Sequence, residues 1–207
     1  DCDFPRVLKP DVFIGLHTAP GLTAGTIGVK KGPAGASADT FKITVTGKGG
    51  HGAHPENCID PIAAACYLVT QLQTVISREN HPVHPGVMTI GSFHAGKAPN
   101  VIPDSVELLG TLRSLDGGSR EGMQRAIDRI TESCCAAMRT TGTVEWNYGM
   151  PPLVNSDEVV DAIEAAAEKT IGLDHVEHIP GPSLGSEDFS YLFPASDPGA
   201  QFSMGTG

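Results

Sequence analysis

Apolar and polar positions alternate along this chain with two different periods. Phe41, Ile43 and Val45 are interleaved with Lys42, Thr44 and Thr46, a period of two that predicts a strand with one buried and one wet face. Ile62, Ala65, Val69, Leu72 and Ile76 then recur at helical spacing, with Asp60 placed as N-cap and Pro61 at the first helical position. This helix is expected to stop near Ser77, ahead of Asn80-His81-Pro82. Strand patterns follow at 87–93 and 106–113, separated by a loop containing Gly96, Pro99 and Pro103. A second amphipathic helix begins near Ser119 with Met123, Ile127, Ile130, Cys134 and Ala137 on one face, and a strand at 143–148 closes the series.

The order over 39–148 is therefore β-α-β-β-α-β, the ferredoxin-like arrangement of a four-stranded antiparallel sheet with two helices on one face. On the N-terminal side, residues 11–17 form a continuous apolar run ending on His17, which reads as a strand buried on both faces with His17 at its carboxyl end. Ligand-binding groups of α/β sheets collect at that end. On the C-terminal side, a helix is expected from Ser156 to Gly172 with Val159, Val160, Ile163, Ala166 and Ala167 inward. Gly185-Ser186-Glu187-Asp188-Phe189 then leads into a helical turn, with Asp188 as its cap and Glu187 ordering the loop, before a buried strand at 200–203. These elements divide the chain into 1–36 and 150–207, two pieces of one α/β domain, and 37–149, an inserted α+β satellite. Each flanking piece is too small to be a domain alone, and the chain opens at Asp1 without a Met. The expectation is a fragment of a longer protein.

Composition narrows the function. The net charge of −10, with 14 scattered Lys and Arg, argues against a nucleic-acid partner. No apolar stretch is long enough to span a bilayer, which argues against a membrane partner. Five cysteines (Cys2, Cys58, Cys66, Cys134, Cys135) without CxxC spacing suit a reducing, cytoplasmic setting, and Cys66 and Cys134 read as core thiols.

The chemistry concentrates in Gly47-Lys48-Gly49-Gly50-His51-Gly52-Ala53-His54-Pro55, where four glycines in six positions permit positive φ and close backbone approach. That holds His51 and His54 at a shaped surface. On spacing alone, His17 is open between a structural imidazole and a ligand, and Arg113 between a substrate contact and a surface partner of Glu107. His94 stands at a strand end before a Gly/Pro loop.

Gly15-Leu16-His17, the Gly47–Ala53 segment, Asn100-Val101-Ile102-Pro103-Asp104, Gly110-Thr111-Leu112-Arg113 and Gly185-Ser186-Glu187-Asp188-Phe189 together resemble the M20 metallopeptidase family, and most closely its amidohydrolase branch. The resemblance implies an α/β catalytic domain of the phosphorylase/hydrolase-like zinc-peptidase type, incomplete here, carrying a ferredoxin-like satellite that makes a homodimer. It implies two divalent ions (Zn, Mn, Ni or Co), with His17 as the one metal ligand present in this chain. His51 would be the catalytic donor to the developing oxyanion, reaching the partner's site, and Asn100 and Arg113 would hold the substrate carboxylate, with His94 lining the same cleft. The implied activity is cleavage of N-acyl or N-aroyl amino acids such as hippurate or N-acetyl compounds. Two alternatives stand beside it: a non-catalytic dimerisation and substrate-binding module, and a dipeptidase or aminobenzoyl-glutamate hydrolase.

Overall fold

The computed structural model describes residues 10–193 and 197–207, so Cys2 and the first nine residues of the expected N-terminal piece lie outside the described residues. In chain order the strands and helices are β1 (Phe13–Ala19), β2 (Ile27–Val29), β3 (Gly32–Gly35), β4 (Asp39–Thr46), β5 (Gly50–His51), α1 (Pro61–Thr74), β6 (Gly86–Ala95), β7 (Val101–Ile102), β8 (Ser105–Ser114), α2 (Gly117–Ala137), β9 (Thr141–Asn147), β10 (Leu153–Asn155), α3 (Asp157–Thr170), β11 (Val176–His178) and β12 (Gly199–Gly205). They group into two units, Ala38–Gly149 and the described residues on either side of it.

In the Ala38–Gly149 unit, β6, β8, β4 and β9 lie side by side in that order, every pair antiparallel. The alternation seen in sequence decides which face is covered. Phe41, Ile43, Val45, Val106, Leu108 and Leu112 meet Ala64, Leu68 and Leu72 of α1 and Met123, Ile127 and Cys134 of α2 in one core. Each large side chain buried there contributes roughly 1.5–3 kcal/mol. Gly110 is required beside Phe41, because a Cβ at this position would stand 2.3 Å from the ring. Cys66 departs from expectation: it is exposed, next to the exposed Tyr67, since the inward face of α1 is drawn by Ala64, Ala65, Leu68 and Leu72.

The helix ends follow from local hydrogen bonds. Asp60 accepts from the amides of Ile62 (2.8 Å) and Ala63 (3.3 Å), as its position predicts. The C-terminal end runs past Ser77 through a π-turn, Val75–Glu79, closed by the Asn80 amide donating to the Val75 carbonyl. Helix α2 starts two residues earlier than expected because Asp116 is its cap, accepting from the Ser119 amide at 2.6 Å. Asp39, its side chain fully buried, ties the ends of the unit together. Its carboxylate accepts from Arg120 Nε (2.7 Å) and Nη2 (2.6 Å), Gln124 (3.0 Å) and the Gly149 amide (3.0 Å).

In the other unit the sheet order is β1-β12-β2-β11, with β1 parallel to β12, β12 antiparallel to β2, and β2 parallel to β11. Val29 and Ala200 pack on Val159, Val160 and Ile163 of α3, which ends at Thr170 and is followed by Gly172 with φ +87°. Strand β1 is not buried on both faces. Among the described residues it stands at an edge of this sheet, and Ile14 and Leu16 are 58% and 52% exposed. His17 lies two residues before the end of β1, opposite Ser203. Asn155, buried at the end of β10, donates to the carbonyls of Lys30 (2.7 Å) and Gln201 (3.0 Å) and accepts from the Gln201 amide (2.9 Å). This side chain fixes the backbone of β12 at Gln201.

Candidate functional site

Two groups of polar side chains stand out, one in each unit. In the Ala38–Gly149 unit the glycine-rich segment is zipped to the loop before β8. Gly50 and His51 pair with Ile102 and Val101, the Gly52 amide donates to the Asn100 carbonyl (2.8 Å), and the Gly49 amide donates to the Asp104 carboxylate (2.9 Å). Positive φ is not what these glycines supply, for the described positive-φ glycines are Gly25, Gly32, Gly96 and Gly172. Close approach is. A Cβ would stand 2.2 Å from the Ile59 carbonyl oxygen at Gly47, 2.6 Å from that of Ile102 at Gly49 and 2.5 Å from Cys58 Sγ at Gly50.

This packing sets the chemistry of His51. The Ala53 amide donates to His51 Nδ1 at 3.1 Å, so in the neutral ring the proton sits on Nε2, on an exposed side chain. The backbone of Asn100 is brought beside this segment, and the chain neighbours of both residues, Gly52 and Val101 among them, line a cavity of about 510 Å³ with Asp60 and Lys97. His94, exposed and opposite Glu107, is at the same end of the sheet. His54 is a surface residue, 3.5 Å from Glu56. Arg113 is not brought to this group. It lies eight residues further along β8 than Ser105, opposite Val87, and at about 3.4 Å per residue that is roughly 27 Å away.

The second group lines a cavity of about 360 Å³ that includes His17, Lys30, Ser183, Glu187, Gln201 and Ser203. His17 Nδ1 is 2.6 Å from the Thr18 carbonyl oxygen. A carbonyl can only accept, so Nδ1 carries a proton, and in the neutral ring Nε2 presents the lone pair. Nε2 stands 3.6 Å from Glu187 Oε2, and the glutamate side chain is 21% exposed. Glu187, not Asp188, caps the turn Asp188–Tyr191, its Oε1 accepting from the Phe189 amide at 3.3 Å. The turn begins at Asp188, which leaves the residue before it in the capping position. Burial pushes the Glu187 carboxyl up, but hydrogen bonds from Gln201, the Phe189 amide and Asp188, with His17 nearby, hold it below the ordinary glutamate value. The proximity of Glu187 to His17 has no signal in the sequence, where the two are far apart.

An imidazole with Nδ1–H committed to a carbonyl and Nε2 facing a polar cavity suits a divalent transition metal. Among the described residues no group of three or more His, Cys, Asp or Glu is arranged to hold a metal ion. His84 Nδ1 stands 3.0 Å from Ser119 Oγ. Among the described residues no helix is long and apolar enough to cross a membrane.

A family model described as a peptidase dimerisation domain matches residues 36–137. The chain is 39% identical over 181 residues to an N-acetyl-L-cysteine deacetylase of Bacillus subtilis, covering 87% of this chain and 43% of the relative. It is 36% identical over 197 residues to thermostable carboxypeptidase 2 of Saccharolobus solfataricus, covering 95% and 49%. The crystal structure of a Bacillus subtilis protein described as a dinuclear metal-binding peptidase of the M20 family superimposes with a TM-score of 0.76 at 31% identity, over 97% of this chain and 49% of that one. The chain spans about half the length of the curated relatives it matches.

Proposed function

The chain belongs to the M20 family, and from that membership we propose that it serves a metal-dependent amidohydrolase cleaving the amide bond of an N-acyl amino acid. The products are a carboxylic acid and a free amino acid. One observation carries the reading: two histidines are held by backbone groups in opposite tautomers, His17 with an Nε2 lone pair and His51 with an Nε2–H. The first suits a metal ligand and the second a hydrogen-bond donor.

In this reading the pieces 1–36 and 150–207 belong to the catalytic domain, and 37–149 is a ferredoxin-like satellite. His17 holds a divalent ion, one of two by likeness to the dinuclear relative, of the Zn, Mn, Ni or Co type. When bound, such ions supply Lewis-acid activation of water and of the scissile carbonyl. His51 donates from Nε2 to the carbonyl oxygen as it gains charge, an interaction stronger in the transition state than in the substrate. Asn100 contributes its amide beside His51, and His94 borders the same end. Arg113 offers a planar fork for the carboxylate of the leaving amino acid. Within one chain His51 and Arg113 are too far apart to touch one small substrate, so the two serve a common site only when they come from different copies. A homodimer through the 37–149 domain supplies that pairing.

The deacetylase relative favours a small acyl group, and the carboxypeptidase relative favours a peptide bond as the second reading. The test is hydrolysis of N-acetyl amino acids, hippurate and dipeptides by the protein expressed from its complete gene, before and after chelation and with metal restored. The expected result is N-acyl amino acid cleavage that disappears on chelation and returns with metal. Dipeptide cleavage alone favours the second reading, activity surviving complete metal removal overturns the mechanism, and no cleavage of any substrate favours the binding module.

A further inference from the structure

We propose that Cys58 is a positioning residue for His51: its buried thiol bears on the backbone of Gly50 and sets where the imidazole stands. The inference rests on the reading of His51 as the donor to the developing oxyanion. It begins from a side chain that the cores do not account for. Cys58 is 5% exposed, yet among the described residues it belongs to none of the buried apolar clusters of the two units. Its burial comes from the glycine-rich segment and the turn that follows it. The Cys58 amide donates to the Pro55 carbonyl (3.0 Å), and Sγ, a weak donor, reaches the His54 carbonyl at 3.5 Å. The next residue, Ile59, is bonded to Lys48 in both directions, at 2.9 Å and 2.8 Å. The thiol is thus fixed beneath the loop by its own flanks.

Gly50 shows what the thiol does. This residue lies in β5 without a positive φ, so its conformation does not call for glycine. A Cβ there would stand 2.5 Å from Cys58 Sγ and would meet no other atom within 4 Å beyond its chain neighbours. Glycine is needed at position 50 because of this one sulfur. The same backbone pairs with Ile102 and Val101, so the strand that carries His51 is located by a ladder along its edge and by the thiol against Gly50. Only with that strand in place does His51 Nδ1 meet the Ala53 amide and leave the proton on Nε2. A shift of about 1 Å in a catalytic group costs on the order of 10²-fold in rate, which gives the fit of Sγ to Gly50 a consequence for turnover.

The test compares Gly50→Ala, Cys58→Ala, their double variant and His51→Ala with wild type in the protein expressed from its complete gene. Steady-state kinetics on an N-acetyl amino acid, with metal analysis, are read beside the ¹⁵N NMR signals of the neutral His51 ring. In G50A the added methyl meets Sγ and displaces the strand. There kcat is expected to fall at least about tenfold with KM and metal content within about twofold, and the ring signals should show both tautomers in place of Nε2–H alone. In G50A/C58A the sulfur is gone, and both readouts should return to those of C58A, the non-additivity of two groups in contact. A thiol that only stabilises the fold would change the melting temperature and leave the ring signals alone. Should G50A fail to fold, Cys58→Met takes its place, overfilling the space beneath Gly50 with the same expected fall in kcat and the same mixed tautomers. Wild-type kcat and ring signals in G50A, or in C58M in its place, overturn the inference, as does a double variant that recovers neither; a low kcat in H51A then leaves the reading of His51 standing. H51A as active as wild type overturns that reading instead.

Discussion

His17 and His51 carry the same side chain and are given opposite chemistry by one backbone neighbour each. The Thr18 carbonyl forces a proton onto Nδ1 of His17, and the Ala53 amide keeps the proton off Nδ1 of His51. Sequence motifs single out both residues, but the tautomer depends on hydrogen bonds that only the folded loop creates. The same limit applies to Glu187, whose neighbour His17 comes from a distant strand, and to Cys66, which the apolar pattern places inward and the packing of α1 leaves exposed. If His51 acts through its Nε2–H, His51→Ala should lower kcat by roughly 10²–10³ with metal content and melting temperature unchanged. His51→Gln, which restores an N–H donor, should recover part of that loss. Steady-state kinetics with metal analysis decides it, and equal losses of metal and activity would place His51 among the ligands instead.

At the scale of elements, β6 is one of the two edges of the four-stranded sheet. Its ten residues include no Asp, Glu, Lys or Arg, and Val87 and Phe93 are exposed. The opposite edge, β9, carries Glu145, ion-paired with Lys42 at 3.1 Å. An uncharged edge of that length is a template for pairing with another strand, so β6 is the edge expected to meet a second copy. Val87→Glu combined with Phe93→Glu should shift sedimentation from dimer to monomer while leaving the circular dichroism spectrum unchanged; an unchanged dimer would place the interface elsewhere. Helix α2 offers a separate check. The Ser119 amide holds the Asp116 carboxyl below the ordinary aspartate value, while partial burial opposes it. A lowered folded value means stabilisation that is complete above the ordinary range near pH 4 and lost as acid passes through the lower value. Asp116→Ala should therefore cost about 1 kcal/mol near neutral pH, and the difference should shrink in acid, as urea unfolding at the two pH values would reveal.

Across the whole molecule, the long periodic segments were legible and the short or edge segments were not. Alternation in β4 and β8 and the helical spacing of α1, α2 and α3 predict those elements because each buries one face against a common partner. Strands of two to four residues such as β2, β5, β7, β10 and β11 carry too few positions for a period to register. The apolar run of β1 looks the same in sequence whether its outer face is covered or, as here, left at an edge among the described residues. The candidate residues stand in motifs, yet the separation of His51, Asn100 and His94 from Arg113 along one sheet emerges only from the register of β8, and His17 lies in the other unit. That division leads to the central claim, that one substrate site is assembled from two copies of the protein. The most direct measurement mixes His17→Ala with His51→Ala under conditions that exchange subunits. Each variant alone should be nearly inactive, and random re-association should restore about a quarter of wild-type activity, because half the dimers are mixed and each of those has one intact site. A mixture no more active than the separate variants would contradict the claim.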